Sequence, residues 1–246
     1  MNNRNFNSYL KNKTVALVGP ASYLSEFEFG NEINSKDIIV RINRGLELVD
    51  ENKKHIGNRT DILYNCLIEN PDNGGIINIK KLKDANVKWV CTIPYSSSDG
   101  KKTSRFLHPS VNLFKVFQIY FKFNFHIYNY KSYSLLNKEI SSRANTGFAA
   151  IFDLLEFDLK ELYITGFSFY LDSFFKGYKS GCKRNEEVFS QECFKSRRHN
   201  QKNQWKYLKN NMDNKKLSFD PILKEILNMS KLDRNLFHEI IEKVKP

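Results

Sequence analysis

Five short groups of residues carry the side chains and backbone turns able to do chemistry. The bend Gly19-Pro20-Ala21-Ser22 follows the apolar run Thr14 to Gly19 and precedes a helix-like segment. It brings backbone NH groups and a hydroxyl to the carboxyl end of a strand, the edge where open α/β sheets bind ligands. The bend is neither GxGxxG nor GxxxxGK[ST], which disfavours a nicotinamide dinucleotide fold and excludes a P-loop nucleotidase. Val40-Arg-Ile-Asn43 ends a second strand on an amide that both donates and accepts hydrogen bonds, which suits a nucleotide. Arg143-Ala144-Asn145-Thr146-Gly147 opens a helical stretch, where a hydroxyl, a glycine and free NH groups make an anion site. Gly166-Phe167-Ser168 ends another strand, and His199 stands shortly before the helical Trp205-Lys-Tyr-Leu. Each has an ordinary reading: a tight turn, a polar strand end, a capped helix start, and a histidine with no catalytic part.

The remaining candidates are thinner. His55 lies in a charged turn, His108 and His126 have apolar or Pro-flanked surroundings, and His238 precedes Glu239 on a terminal helix. Cys66, Cys91, Cys182 and Cys193 are scattered, with no CxxC and no Cys and His at metal-ligand spacing, so no metal site is expected. Cys66 and Cys91 sit in strand-like stretches and read as buried free thiols. Cys182 and Cys193 flank a charged loop and could pair, although a reducing cytoplasm suits the set better.

Stepping from strand to strand, Thr14 to Gly19 (TVALVG) is a continuous apolar run ending in Gly, as in a strand covered on both faces of a parallel sheet. Ile38 to Ile42, Asp61 to Tyr64, Trp89 to Thr92 and Leu162 to Thr165 repeat it, and helical-period stretches such as Val111 to Phe121 and Thr146 to Leu155 separate several of them. The alternation predicts an α/β fold, a single Rossmann-like, doubly wound α/β/α sandwich with a mostly parallel sheet. No repeat or Pro/Gly-rich linker divides residues 1–246, so one domain is expected. Residues 176–204 are charged and poor in aliphatics and read as a loop or lid before a helix starting near Asn203. Pro221 to Lys245 should close the domain as one or two helices.

Thirty-nine Lys and Arg against 27 Asp and Glu give a net charge of +12, which favours polyanionic partners through a summed field. Nucleic acid, anionic lipid headgroups and phosphorylated substrates all fit that sign, although the many Lys-Asn clusters also fit a solvated face. No apolar run approaches the roughly eighteen residues of a membrane span, and Met1 to Lys13 shows neither secretory signal nor anchor. The location expected is cytoplasmic, with peripheral contact to a membrane as an option. Basic residues do not interleave with aromatics as in an RNA-binding motif, which disfavours nucleic acid.

Two blocks carry a family resemblance. The first runs Val15-Ala-Leu-Val-Gly-Pro-Ala-Ser22, Gly30-Asn-Glu-Ile-Asn-Ser-Lys-Asp37, Val40-Arg-Ile-Asn43-Arg-Gly45 and Ile56-Gly-Asn-Arg-Thr-Asp61. It resembles the large sialyl motif of the animal-type sialyltransferases, glycosyltransferase family 29. The second, Arg143-Ala-Asn-Thr-Gly147 with Glu161-Leu-Tyr-Ile-Thr-Gly166-Phe-Ser-Phe-Tyr170, resembles the small sialyl motif and, more closely, the R-x-T-S-G and S-G-x-D-F-Y segments of the bacterial family 42 enzymes. The resemblance covers 14–65 and 143–178, with a thinner match at 199–204; residues 66–142 match no motif and are the expected acceptor region.

The resemblance implies a GT-A-like variant fold and an inverting, metal-independent transferase that moves sialic acid, or a related 2-keto sugar, from a CMP-activated donor to a glycan hydroxyl. No cofactor beyond the donor is implied. By the same likeness the nucleotide contacts would be Gly19, Pro20, Ala21, Ser22, Asn43, Asn65, Arg143, Asn145, Thr146, Gly147, Gly166, Phe167 and Ser168. Tyr170 and Tyr178 would hold the donor phosphate, a role that suits a phenol because it donates a hydrogen bond without adding charge. His199 would be the general base, in keeping with an ordinary imidazole pKa of about 6.5. The animal-type motif has Glu five positions after that His; here the place is Gln204, a departure that tilts the likeness towards the bacterial type. A CMP-Kdo or other nonulosonate transferase is the close alternative, and a non-catalytic basic protein binding nucleotide or nucleic acid is the alternative of another class.

Overall fold

The computed structural model describes residues 3–70, 74–94, 111–179, 191, 192, 194, 195 and 198–245. Seven strands form one parallel sheet: β1 (Thr14–Val18), β2 (Ile38–Ile42), β3 (Ile62–Tyr64), β4 (Trp89–Thr92), β5 (Asn124–Ile127), β6 (Glu161–Thr165) and β7 (Leu217–Phe219). Their order is β5-β4-β3-β2-β1-β6-β7, parallel at every pairing. The chain winds from β1 outward to β5, then returns to start again at β6 on the other side of β1. This is the doubly wound α/β arrangement expected from the alternating pattern.

Burial explains which strands were legible. All of β2, β3 and β4 is buried, as is β1 apart from Thr14, because helices flank the sheet and polar side chains have no solvent face. The edge strands differ: β5 (NFHI) buries only His126, and β7 (LSF) is half-exposed throughout. Neither produces an apolar run, and neither was expected from the sequence.

The helices are α1 (Asn3–Leu10), α2 (Gly30–Ser35), α3 (Lys53–Ile56), α4 (Ile79–Asp84), α5 (Leu113–Lys122), α6 (Tyr130–Glu139), α7 (Thr146–Leu155), α8 (Gln201–Asn210), α9 (Pro221–Asn228) and α10 (Arg234–Val244). Most of the longer ones start on an Asx cap that satisfies an otherwise orphaned NH: Asn112 before α5, Asn129 before α6, Asn145 before α7, Asn200 before α8, Asp220 before α9 and Asp233 before α10. The segment after the Gly19 bend is a 3-10 turn, Ser22–Glu26, not an α-helix. One apolar cluster runs from Phe6 through the central strands to Ile241.

Two buried polar networks tie this core to the ligand edge. The Tyr64 hydroxyl donates to Asp153 Oδ2 at 2.7 Å, and His126 Nε2 lies 2.9 Å from the same oxygen. His126 therefore has a carboxylate partner inside what the sequence showed only as apolar surroundings, and α7 is bolted to β3 and β5. In the second, the Tyr23 hydroxyl donates to Asp220 Oδ2 at 2.6 Å and accepts from the Gly166 NH at 2.8 Å, fixing the turn after β6. Cys66 and Cys91 are buried free thiols; Cys182 and Cys193 lie outside the described residues, as do 180–190, 196 and 197 of the expected lid.

Candidate active site

The order of the sheet places a switch point between β1 and β6, where the two connections leave in opposite directions and open a crevice at the carboxyl ends. The turns on either side touch. The Gly19 NH donates to the Thr165 carbonyl at 2.8 Å and the Ala21 NH to the Gly166 carbonyl at 3.1 Å. A Cβ on Gly19 would stand 2.2 Å from the Gly166 oxygen, and Gly166 has φ +75°, so the first position has no room for a side chain and the second favours glycine.

Above these turns lies a cleft of about 270 Å³. It is lined by Pro20 and Ala21 after β1, Asn43 after β2, Arg143 to Gly147 at the start of α7, Gly166 to Ser168 after β6, and Tyr170, Tyr178 and His199. Segments far apart in sequence thus meet on one rim. Asn43, Phe169 and Tyr170 all have positive φ (49°, 53° and 58°), a left-handed conformation uncommon for large side chains and concentrated at functional sites.

Three of the expected contacts fall outside the lining. Gly19 forms the floor behind the rim; the Ser22 hydroxyl turns away and donates to Asp172 Oδ2 at 2.9 Å. Asn65 borders a smaller neighbouring recess with Asn43 and Gly74, and its Oδ1 accepts the Leu67 NH at 2.7 Å. Tyr178 lines the cleft, but its hydroxyl donates to the Ile42 carbonyl at 3.3 Å and its ring stacks on Phe174, 5.5 Å between centroids. Burial raises the pKa of this phenol, so the proton stays on oxygen.

The start of α7 has the local geometry of an anion site. Asn145 Oδ1 caps the Phe148 NH at 2.9 Å, leaving the first-turn NH groups and the positive end of the helix dipole at the cleft wall. Asp153 further along the same helix holds it in place. Arg143, Lys179 and Arg198 also line the cleft, with no Asp or Glu among the described lining residues. Lys179 is 6% exposed, its ammonium 5.2 Å from the Phe174 ring centre. No motif marks this lysine, because a Lys-Ser-Gly stretch in a charged segment reads as solvated.

His199 is held from the same side. Its Nδ1 lies 2.7 Å from the Arg143 carbonyl, and the Arg143 NH donates to the Arg198 carbonyl at 3.1 Å. A carbonyl only accepts, so Nδ1 carries the proton and Nε2 keeps its lone pair. Burial pushes the imidazole pKa down to about 4; the hydrogen bond to Arg143 pulls it up, and the charges of Arg143 and Arg198 push it down again. His199 is therefore neutral near pH 7. Gln204, where the animal-type motif has Glu, is 0% exposed and also borders the cleft.

This arrangement combines a neutral imidazole with a lone pair, a helix N-terminus and three cations around one crevice. It can take up a proton while stabilising a departing anion. The fold is shared with solved sialyltransferases. The enzyme CstII from Campylobacter jejuni, in complex with the substrate analogue CMP-3FNeuAc, superposes with TM-score 0.56 at 16% identity, over 91% of this chain and 88% of that one. A mammalian sialyltransferase in complex with Gal-beta-1-3GalNAc-ortho-nitrophenol superposes with TM-score 0.53 at 13% identity, over 87% of this chain and 71% of that one. No curated protein sequence matches the chain. The family model of glycosyltransferase family 29 (sialyltransferase) matches residues 3–146, more than half of the 246, and so also spans 66–142, where no motif was visible. The chain that folds around this crevice therefore belongs to glycosyltransferase family 29, the sialyltransferases.

Proposed function

We propose that the whole chain acts as one inverting, metal-independent glycosyltransferase domain that moves sialic acid, or a related 2-keto sugar, from its CMP conjugate to a glycan hydroxyl. The observation that carries the reading is the fixed tautomer of His199: Nδ1 is engaged by the Arg143 carbonyl, and Nε2 keeps its lone pair at a cleft that the start of α7 also lines. The cytidine lies against Pro20, Ala21, Asn43 and Gly166 to Ser168, and the phosphate faces Thr146, Gly147 and Tyr170. His199 Nε2 takes the acceptor hydroxyl proton as that oxygen attacks the anomeric carbon. The bond from this carbon to the phosphate oxygen breaks in line on the far face, its electron pair leaves on CMP, and the anomeric centre inverts.

The leaving phosphate develops charge where fixed NH groups and cations are already in place, the usual source of electrostatic catalysis. Arg143, Lys179, Arg198 and the α7 dipole supply the positive field, so the proposal includes no cofactor beyond the donor. Among the described residues, no group of three or more His, Cys, Asp and Glu is placed to hold a metal ion. CMP-bound CstII and the mammalian sialyltransferase in complex with Gal-beta-1-3GalNAc-ortho-nitrophenol are known among structures of this fold, which supports a nucleotide-sugar donor and a glycan acceptor. No helix among the described residues is long and apolar enough to cross a membrane. The proposal places the enzyme in the cytoplasm, with peripheral contact to an anionic membrane surface, as its +12 charge supports.

Calorimetric titration tests the donor reading directly. CMP should bind at least tenfold more tightly than UMP or AMP, and His199→Ala should keep that affinity while losing transfer from CMP-sialic acid or CMP-Kdo. Equal binding of all three nucleotides, or full turnover by the variant, overturns the assignment.

A further inference from the structure

Helix α5 is apolar on two faces. Ile119 is buried, and Val116 and Phe123 pack with it against the cluster of Leu63, Leu82 and Val90 beneath the sheet edge. On the opposite side Leu113, Phe114, Phe117, Tyr120 and Phe121 are exposed, Phe114 by 71%, Phe117 by 60% and Phe121 by 78%. At 100° per residue these five fall within about 120° of arc. The stripe continues onto β5, the sheet edge, through Phe125, whose ring is 6.3 Å from Tyr120, and through the exposed Ile127. An amphipathic helix hides one stripe; a helix apolar on both sides has a second thing to cover.

The charges around the stripe identify what covers it. Helix α5 (LFKVFQIYFK) contains no Asp or Glu. Lys122 is exposed at its end, and Lys88, also exposed, is joined to β5 where its carbonyl accepts the Asn124 NH at 3.2 Å. Lys80 and Lys83 are exposed on α4, which packs beside α5. A second copy of the chain would bring the same lysines and another +12 against them, an arrangement that opposes association. Anionic lipid headgroups meet the lysines with opposite charge while the aromatic rings enter the headgroup–acyl boundary.

We infer that the exposed aromatic stripe of α5, flanked by Lys80, Lys83, Lys88 and Lys122, is the surface by which this protein docks on an anionic lipid bilayer. The inference deepens the peripheral contact proposed above by giving it a location. It also orients the enzyme. Val111, just before α5, packs with Cys66 and Ile68, which line the cleft, so docking brings one side of the cleft mouth towards the lipid surface.

Vesicle flotation tests it. The protein should float with vesicles of phosphatidylcholine containing about 30% phosphatidylserine, bind phosphatidylcholine alone at least tenfold less, and lose most of the difference when salt rises from about 0.1 M to about 0.5 M. The triple variant Phe114→Ser/Phe117→Ser/Phe121→Ser should lose at least tenfold in partition with its CMP affinity unchanged. If that variant does not fold, Phe121→Ser alone should lose about threefold. Wild-type protein that ignores phosphatidylserine, or variants that float as well as wild type, overturns the inference. So does a wild-type dimer in sedimentation that the variants abolish, because the face then meets another copy. Failure of CMP to bind wild-type protein would count against the transferase reading alone, leaving the flotation result to judge the docking surface.

Discussion

The acid limb of the pH–rate profile is where the reading of His199 can fail most clearly. Its pKa is about 4 because burial outweighs the hydrogen bond to the Arg143 carbonyl and two arginines add to the shift. At pH 5.5 a base of pKa about 4 is about 97% neutral, whereas an ordinary imidazole of pKa about 6.5 is about 9% neutral. If His199 is the base, kcat/KM, which reports the free enzyme, should fall by less than a fifth between pH 7.5 and pH 5.5. An unshifted histidine would lose about tenfold over the same range. The assay is initial-rate transfer from CMP-sialic acid at subsaturating donor, with CMP affinity measured at each pH to confirm that the site is intact. A limb centred near pH 6.5 with CMP binding unchanged would refute the argument. The same depression has a consequence for folding. The unfolded chain takes up the proton near pH 6.5 and the folded one only near pH 4, so His199 supports the fold above pH 6.5, and that support is lost as pH falls towards 4.

Three further predictions follow from the geometry. Tyr23→Phe removes a hydroxyl buried between Asp220 and the Gly166 NH; it should cost about 1–3 kcal/mol, read as a melting-point drop of about 2–4 °C per kcal/mol, and an unchanged Tm would show that the network does not bear on stability. Gly19→Ala puts a methyl group 2.2 Å from the Gly166 oxygen and should destroy CMP binding in titration; retained affinity would mean that the two turns can part. Gln204→Leu removes a side-chain amide whose Oε1 and Nε2 are buried without hydrogen-bond partners, so it should raise thermal stability by about 1–3 kcal/mol. A lower Tm would show that the amide has an interaction the leucine cannot replace.

What could be read from the sequence divides along burial. The five strands from Thr14 to Thr165 that are sealed on both faces announced themselves as apolar runs, and β2 and β4 have the bounds expected of them. Edge strands β5 and β7 carry mixed polarity over four and three residues, too little for periodicity to detect. Helices α7, α9 and α10 were legible because their apolar stripes face the core. At the site, Asn43, Thr146 and Gly147 could be placed because strand ends and helix starts fix where they must lie. The direction of a side chain could not: Ser22 points at Asp172, and the Tyr178 hydroxyl at the Ile42 carbonyl, through contacts with residues 150 and 136 positions away. Lys179 was missed for the same reason, since its burial depends on Phe174 and Tyr178 folding over it.

The abutting turns after β1 and β6 limit how this enzyme can be altered. Two peptide backbones in contact, with no side chain between them, cannot shift separately, so this end of the crevice behaves as one stiff plate. Engineering a different donor by enlarging either turn should therefore fail in single variants and give strongly non-additive pairs. Substitutions of cleft-lining side chains that touch neither the plate nor one another should combine almost additively.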